Sequence, residues 1–181
     1  VEIDMETEFN KTDLPSAVMG KISKDGTMKF YSFGNEKWDD DTKKADENTI
    51  FNIASMTKAI TSVAILQLVE KEKISLDSPV SDYIPEINQL KTLTNDSFEE
   101  SLQPITIRNL LTHTSGIGYS DIDVSPSIKA IYWKNGLMDI FSPSLTMKEA
   151  AKEIARQPLH HEPGTKFTYS LGIDVLGSLV E

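Results

Sequence analysis

Residues 51–70 read F-N-I-A-S-M-T-K-A-I-T-S-V-A-I-L-Q-L-V-E. Ser55 and Lys58 in this stretch form the one S-x-x-K of the chain. A spacing of three places both side chains on one face of a helix, a turn apart. A hydroxyl and an amine at that separation can work as a nucleophile and its base. Between Ala59 and Val69 the residues are apolar nearly all round, which is the pattern of a helix buried on most sides. The stretch therefore predicts a central helix over 55–73 with the pair at its N-terminal end. There the backbone N–H groups have no partner within the helix and the dipole is positive. Both favour an oxygen nucleophile and a developing oxyanion. A lysine in apolar surroundings also gives up its proton more readily and can serve as base.

Composition bounds what the rest of the chain can do. Its 181 residues suit one domain, or part of a larger one, and 39% hydrophobic with 25% charged residues is the balance of a soluble globular protein. The net charge is −10 and the isoelectric point about 4.8. That excludes nucleic acid and anionic membrane as main partners, because both need clustered Lys and Arg. There is no cysteine, hence no disulfide and no thiolate ligand or nucleophile. No basic and apolar leader opens the chain, so no signal peptide is visible; the compartment stays open, with the cytoplasm favoured. The apolar run of 59–69 is interrupted by Thr61, Ser62 and Gln67 and is too short to insert into a membrane.

Outward from the central helix, the pattern is strands before it and helices after it. Residues 1–16 are polar, a short helix or an arm. Residues 16–23 and 28–34 read as two strands around an Asp25-Gly26 hairpin turn. Residues 36–48 (EKWDDDTKKADEN) read as a charge-rich surface loop and 49–53 as an extended lead into Ser55. Downstream, 74–87 carries Pro79 and Pro85 and reads as a turn and a short helix. Residues 88–104 are polar and predict an exposed loop. Thr106 is an N-cap for a helix over 106–113, ended by Thr114-Ser115-Gly116. Residues 118–143 are irregular; their Tyr119, Tyr132, Trp133 and Phe141 either pack or line an apolar substrate pocket. Thr146-Met147-Lys148-Glu149 is a capping box that opens a helix to about Arg156. A Pro-broken loop (157–164), an extended piece (166–170) and an apolar helix (172–181) follow. Two strands and then many helices predict an α+β fold, but one hairpin is marginal as a sheet. The remaining strands are expected beyond Glu181. On this reading residues 1–53 are the first strands of a sheet, and 54–181 are the central helix and a mainly helical subdomain.

One S-x-x-K is weak by itself, since a Ser N-cap followed by an exposed Lys explains it equally well. A third polar group, Tyr169, lies in the extended segment after Glu162-Pro163-Gly164. Other chemistries lack their residues. There is no G-x-S-x-G nucleophile elbow and no glycine-rich phosphate loop. His160-His161-Glu162 lacks the i, i+4 spacing of a helical zinc pair. His113, at a helix end, reads as structural. No metal or cofactor is implied.

Three stretches carry a resemblance: F-N-I-A-S-M-T-K-A-I-T at 51–61, I-T-I-R-N-L-L-T-H-T-S-G-I at 105–117, and E-P-G-T-K-F-T-Y-S-L-G-I-D-V-L-G at 162–177. They resemble the serine beta-lactamase and penicillin-binding-protein superfamily, in its class C-like branch, closest to the family VIII carboxylesterases. The resemblance implies a beta-lactamase-like fold, an antiparallel sheet flanked by helices plus a mainly helical subdomain, of which this chain is the N-terminal part. It implies Ser55 as acylated nucleophile, Lys58 as base or its helper, and Tyr169 as the phenol that shares the proton. The Ser55 N–H would form half of an oxyanion hole. The other half would come from a strand beside a K-T-G-like or H-x-G-like motif, neither of which occurs here. His113 and Gly116 match a structural motif. The third position of Y-x-N is Leu171, which cannot hydrogen-bond to a substrate amide. Tyr-Ser-Leu resembles the esterase members and points to a small-molecule ester, hydrolysed through an acyl-enzyme. A class C-like beta-lactamase or D-amino-acid peptidase is the alternative, and a non-catalytic binding protein on the same fold a further one.

Overall fold

The computed structural model describes residues 4–94, 97–119, 126–134 and 145–181, with backbone alone at Gln89, Ser127, Lys129 and Trp133. Phe141 and the Trp133 ring lie outside the described residues. The chain forms two compact units, Val1–Ile53 and Ala54–Glu181.

The first unit begins with helix α1 (Met5–Phe9), capped by the Asp4 carboxylate, which accepts from the N–H groups of Glu6 and Thr7. Strands β1 (Ser16–Ile22) and β2 (Met28–Lys37) pair antiparallel, with Ser16 opposite Gly34 and Ile22 opposite Met28. The predicted Asp-Gly turn joins them. Gly26 takes φ +85°, and the Thr27 N–H donates to the Asp25 carboxylate at 3.0 Å. The charged stretch predicted as a loop over 36–48 instead contributes a third strand, β3 (Asp40–Lys44), paired with β2 across an irregularity at Asn35–Lys37. Its side chains are nearly all exposed. It is an edge strand held by backbone pairing, and its charges are what such an edge tolerates. Apolar alternation, the signal read from sequence, is therefore missing from a real strand. Lys43 bridges to Glu36 at 2.9 Å on the same surface.

The second unit opens with a 3₁₀ turn (Ala54–Met56) and then helix α2 (Thr57–Glu70). The helix predicted over 55–73 is thus shorter at both ends. It stops because Glu72 turns left-handed, at φ +56°. The Lys73 N–H then donates to the Leu68 carbonyl (2.9 Å) and the Glu72 N–H to that of Val69 (2.9 Å), closing the last turn. Within α2 the expected burial is seen along one side. Ile65 alone is fully buried, while Ile60, Val63 and Leu66 are 62%, 56% and 48% exposed. Among the described residues α2 packs along one side against the last helix. A helix with apolar residues on every side does not say which of its faces will be covered.

Two 3₁₀ turns (Val80–Asp82, Pro85–Gln89) follow. Residues 88–104, predicted as an exposed loop, hold a hairpin of β4 (Lys91–Thr94) and β5 (Ser97–Glu100). Its partner is distant in sequence: the Leu93 N–H donates to the Leu159 carbonyl (3.0 Å), and the Leu159 N–H to that of Lys91 (2.7 Å). Helix α3 (Ile107–Leu111) starts at a Thr106/Asn109 capping box, and α5 (Met147–Ala155) at the expected Thr146/Glu149 box. Between them lies α4 (Pro126–Lys134), whose buried Tyr132 donates to the Pro158 carbonyl at 3.0 Å. Helix α6 (Gly172–Val180) closes the unit. Ile107, Leu110, Ile154, Val175 and Leu176 meet in one buried apolar core, which fixes α3, α5 and α6 as a frame for the site. No described helix is long and apolar enough to cross a membrane.

Candidate active site

Ser55 sits in the 3₁₀ turn just before α2, directly after Ala54, which holds φ +43°. A left-handed alanine is strained, and such strain gathers where a turn must present a particular group. Among the described residues no side chain caps the start of α2, and its first-turn N–H groups have no partner within the helix. One turn on, the Lys58 ammonium lies 3.4 Å from the Ser55 Oγ. It donates a shorter hydrogen bond, 3.0 Å, to the Tyr119 phenol oxygen and stands 4.9 Å from the centre of the Tyr169 ring. The two phenol rings stack at 5.6 Å with an interplanar angle of 15°. The three residues singled out from sequence are therefore brought together, and Tyr119 joins them.

Tyr169 reaches this place through a backbone ladder. The H-T-S-G turn offers its carbonyls to the later loop: Gly116 O accepts from His160 N–H (2.8 Å), Thr114 O from Gly164 N–H (2.7 Å), and His113 O from Thr168 N–H (2.8 Å). Gly116 has φ +84°, and a Cβ there would stand 2.2 Å from the His161 carbonyl oxygen. Only glycine lets the two segments approach so closely. Two histidine rings add side-chain ties. His113 Nδ1 accepts the Ser170 N–H at 3.2 Å and lies 3.2 Å from the Ser170 Oγ. His161 Nε2 lies 3.0 Å from the Thr168 Oγ1. The His113 ring also lies against the Tyr169 ring, with centroids 4.8 Å apart.

The proton affinities in this cluster diverge. Burial works to strip the Lys58 proton, but hydrogen bonds to the phenols of Tyr119 and Tyr169 outweigh it and hold Lys58 above the ordinary lysine value. That reverses the expectation that desolvation would free it to act as base. The Ser55 hydroxyl and then the Lys58 ammonium hydrogen-bond to Tyr169 and hold its phenol below the ordinary value. Burial pushes Tyr119 the other way, upward, despite its contact with Lys58. Asp174, on the first turn of α6, is raised by burial, with the Lys58 charge opposing. Two neighbouring groups driven apart in this way mark the acid and base positions of a site.

A cavity of about 770 Å³ opens beside these groups, walled by Ser55, Lys58, Tyr119, Tyr169 and Asp174 and otherwise mainly by apolar residues such as Ile60, Met147 and Ile173. Leu171 is absent from this wall; its side chain is 1% exposed and packs in the core. Among the described residues no group of three or more His, Asp or Glu is placed to hold a metal ion. Sequence reasoning left Tyr119 open between packing and pocket and passed over Asp174. The usable signal for Asp174 was a lone acid in an otherwise apolar helix, Gly172–Val180.

The family model described as Beta-lactamase matches residues 4–181. Among curated proteins, the chain is 36% identical over 137 residues to "Esterase EstB" of Burkholderia gladioli, covering 75% of this chain and 32% of that protein. It is 39% identical over 140 residues to "Acyltransferase calJ" of Penicillium decumbens, again covering 74% of this chain and 32% of the other. The solved structure "EstCE1, a hydrolase with promiscuous acyltransferase activity" superposes with a TM-score of 0.76 at 28% identity, over 96% of this chain and 43% of that one. The chain thus spans about a third of the length of these curated relatives.

Proposed function

The chain belongs to the beta-lactamase family, and on that premise we propose that it carries the nucleophilic half of a serine hydrolase, a carboxylesterase acting on short-chain acyl esters. The observation that carries this reading is the convergence of Ser55, Lys58 and Tyr169 with the proton affinities of Lys58 and Tyr169 driven apart. In the resting state Lys58 is an ammonium and Tyr169 is the base. The Ser55 hydroxyl passes its proton to the Tyr169 oxygen as Oγ attacks the ester carbonyl. The Ser55 N–H donates to the oxyanion at the start of α2. Tyr169 then protonates the departing alkoxide, leaving an acyl-Ser55. Water passes a proton to Tyr169 as it attacks the acyl carbonyl; Tyr169 then gives that proton to the departing Ser55 Oγ, the carboxylic acid leaves, and Ser55 and the Tyr169 phenolate are both restored. Lys58 never needs to lose its proton. It holds the phenolate by charge, and Tyr119, kept neutral, holds Lys58.

The largely apolar wall fits the acyl and alcohol parts of an ester, and the core-facing Leu171 presents no amide-recognising group there. The names of the relatives support the class: one is an esterase, one an acyltransferase, and a third a hydrolase with acyltransferase activity. The same acyl-enzyme serves either outcome, depending on whether water or an organic alcohol takes the acyl group. Turnover of p-nitrophenyl butyrate by the full-length protein tests the reading. Ser55→Ala is expected to lower kcat by at least about 10³-fold, as removing a nucleophile does, and to abolish labelling by a fluorophosphonate probe. Unchanged turnover in Ser55→Ala would sink the assignment, and nitrocefin hydrolysis faster than ester hydrolysis would move it to a beta-lactamase.

A further inference from the structure

We propose that His113 is a pH-dependent positioning residue: in its neutral form it anchors the backbone that aims Tyr169, and its protonation releases that anchor. The inference rests on the reading of Tyr169 as base and adds a control on it. His113 occupies the left-handed region at φ +55°, at the end of α3. From there the residue meets the 168–170 segment twice, once with its backbone and once with its ring. The carbonyl accepts the Thr168 N–H at 2.8 Å, and Nδ1 accepts the Ser170 N–H at 3.2 Å. Tyr169 lies between these two anchored residues. Because an N–H donates to Nδ1, that nitrogen is the unprotonated one, and the ring proton sits on Nε2.

A second proton on the ring can go only to Nδ1. It would then face the Ser170 N–H, donor against donor. Ser170 is fully buried, so its amide finds no water in exchange, and a buried unpaired donor is costly. The Ser170 Oγ cannot take over as acceptor for its own amide. It already accepts the Gly172 N–H at 3.1 Å, and its second lone pair, 3.2 Å from Nδ1, is the one acceptor at hand for the new Nδ1–H, which still leaves the Ser170 N–H without an acceptor. The anchor therefore fails at Ser170, next to the phenol it positions. Of the ionisable groups around the ring, Lys58 on α2 opposes a second cation, and burial opposes it more strongly. The Tyr169 ring lies against it at a tilt of 40°, Tyr119 stacks on the far side of that phenol, and Asp174 stands on α6 in the same cavity wall. The new charge by itself would favour a Tyr169 phenolate; loss of the anchor acts the other way, by letting the phenol move from Ser55.

Asparagine is the informative replacement. It tolerates the left-handed backbone, its amide oxygen can stand where Nδ1 stands, and it does not titrate. In the full-length protein, kcat/KM for p-nitrophenyl butyrate should fall about tenfold per pH unit while Tyr169 alone takes up a proton, and steepen to about a hundredfold per unit below the His113 titration. His113→Asn should keep the tenfold slope throughout. Asp174→Asn should keep the steep limb. A wild-type limb that never steepens, a limb equally steep in His113→Asn, or one that disappears only in Asp174→Asn overturns the proposal. A second measurement needs neither turnover nor the variant. The hydrogen-exchange protection of the Ser170 amide should be lost as the His113 ring takes its proton, followed by NMR in the wild type. Protection that persists through that titration refutes the anchor even if His113→Asn does not fold. Failure of the hydrolase reading looks different: Ser55→Ala would leave turnover intact while Ser170 protection still followed His113.

Discussion

Tyr119 accepts one of the three N–H donors of Lys58 and is one of two groups that keep that lysine charged against its own burial. Tyr119→Phe keeps the ring stack and deletes the acceptor. A hydrogen bond to a charged group contributes about 1.5–3 kcal/mol, so a loss in kcat/KM of about ten- to hundredfold is expected. The sign on pH follows from the same contact. Without it Lys58 is less strongly protonated, and the alkaline fall in kcat/KM, where the ammonium is lost, moves to lower pH. An alkaline limb that stays in place would show that Tyr119 only packs. At this scale the sequence was readable where a spacing or a motif set the place of a side chain: Ser55 and Lys58 by their helical register, Tyr169 through the stretch at 162–177, the three meeting as the spacing and motif order led one to expect. It left Tyr119 open between packing and pocket, because nothing in residues 118–143 says which of several aromatic rings turns inward. It also pointed the wrong way on Lys58. Burial is visible in an apolar sequence, but the two phenols that outweigh it come from other segments.

Helix ends were the most legible elements, because their signals are local. Thr106 and Thr146 each lie where a capping side chain is required, and each accepts from the N3 amide as expected. Thr146→Ala is predicted to cost about 1 kcal/mol, measured as a lower denaturant midpoint at unchanged slope. The end of α2 was misplaced because a left-handed Glu72 does the work usually given to glycine. Glu72→Gly removes that conformational cost and is expected to stabilise the second unit by about 0.5–1 kcal/mol. A neutral or negative change would mean that the glutamate side chain compensates through contacts of its own. The strands β3 and β4–β5 were unreadable for different reasons. The first is an edge that needs no apolar face. The second is secured by the backbone of Leu159, a partner that no local pattern announces.

Over the whole molecule the site leaves a signature in stability against pH. Burial holds His113 below its ordinary value of 6.5. Its contribution is therefore present above that value and is lost as pH falls toward the folded one. Burial raises Asp174 above 3.8. Its contribution is complete below 3.8 and is lost as pH rises through the folded value, so at neutral pH the carboxylate is a net cost. Asp174→Asn should raise the denaturation midpoint at about pH 7 and have little effect at about pH 3.5. An equal effect at both would locate the cost in packing instead of charge. The stacked pair of Tyr119 and Tyr169 has one more consequence. Two phenols in face contact, one inclined to ionise and the other to stay neutral, make the site its own optical indicator. Tyrosinate absorbs in the near ultraviolet apart from neutral tyrosine, and of the five tyrosines in the chain Tyr169 should be the first to change colour as alkali is added. A spectrophotometric titration can thus read whether the base is armed before any substrate is known.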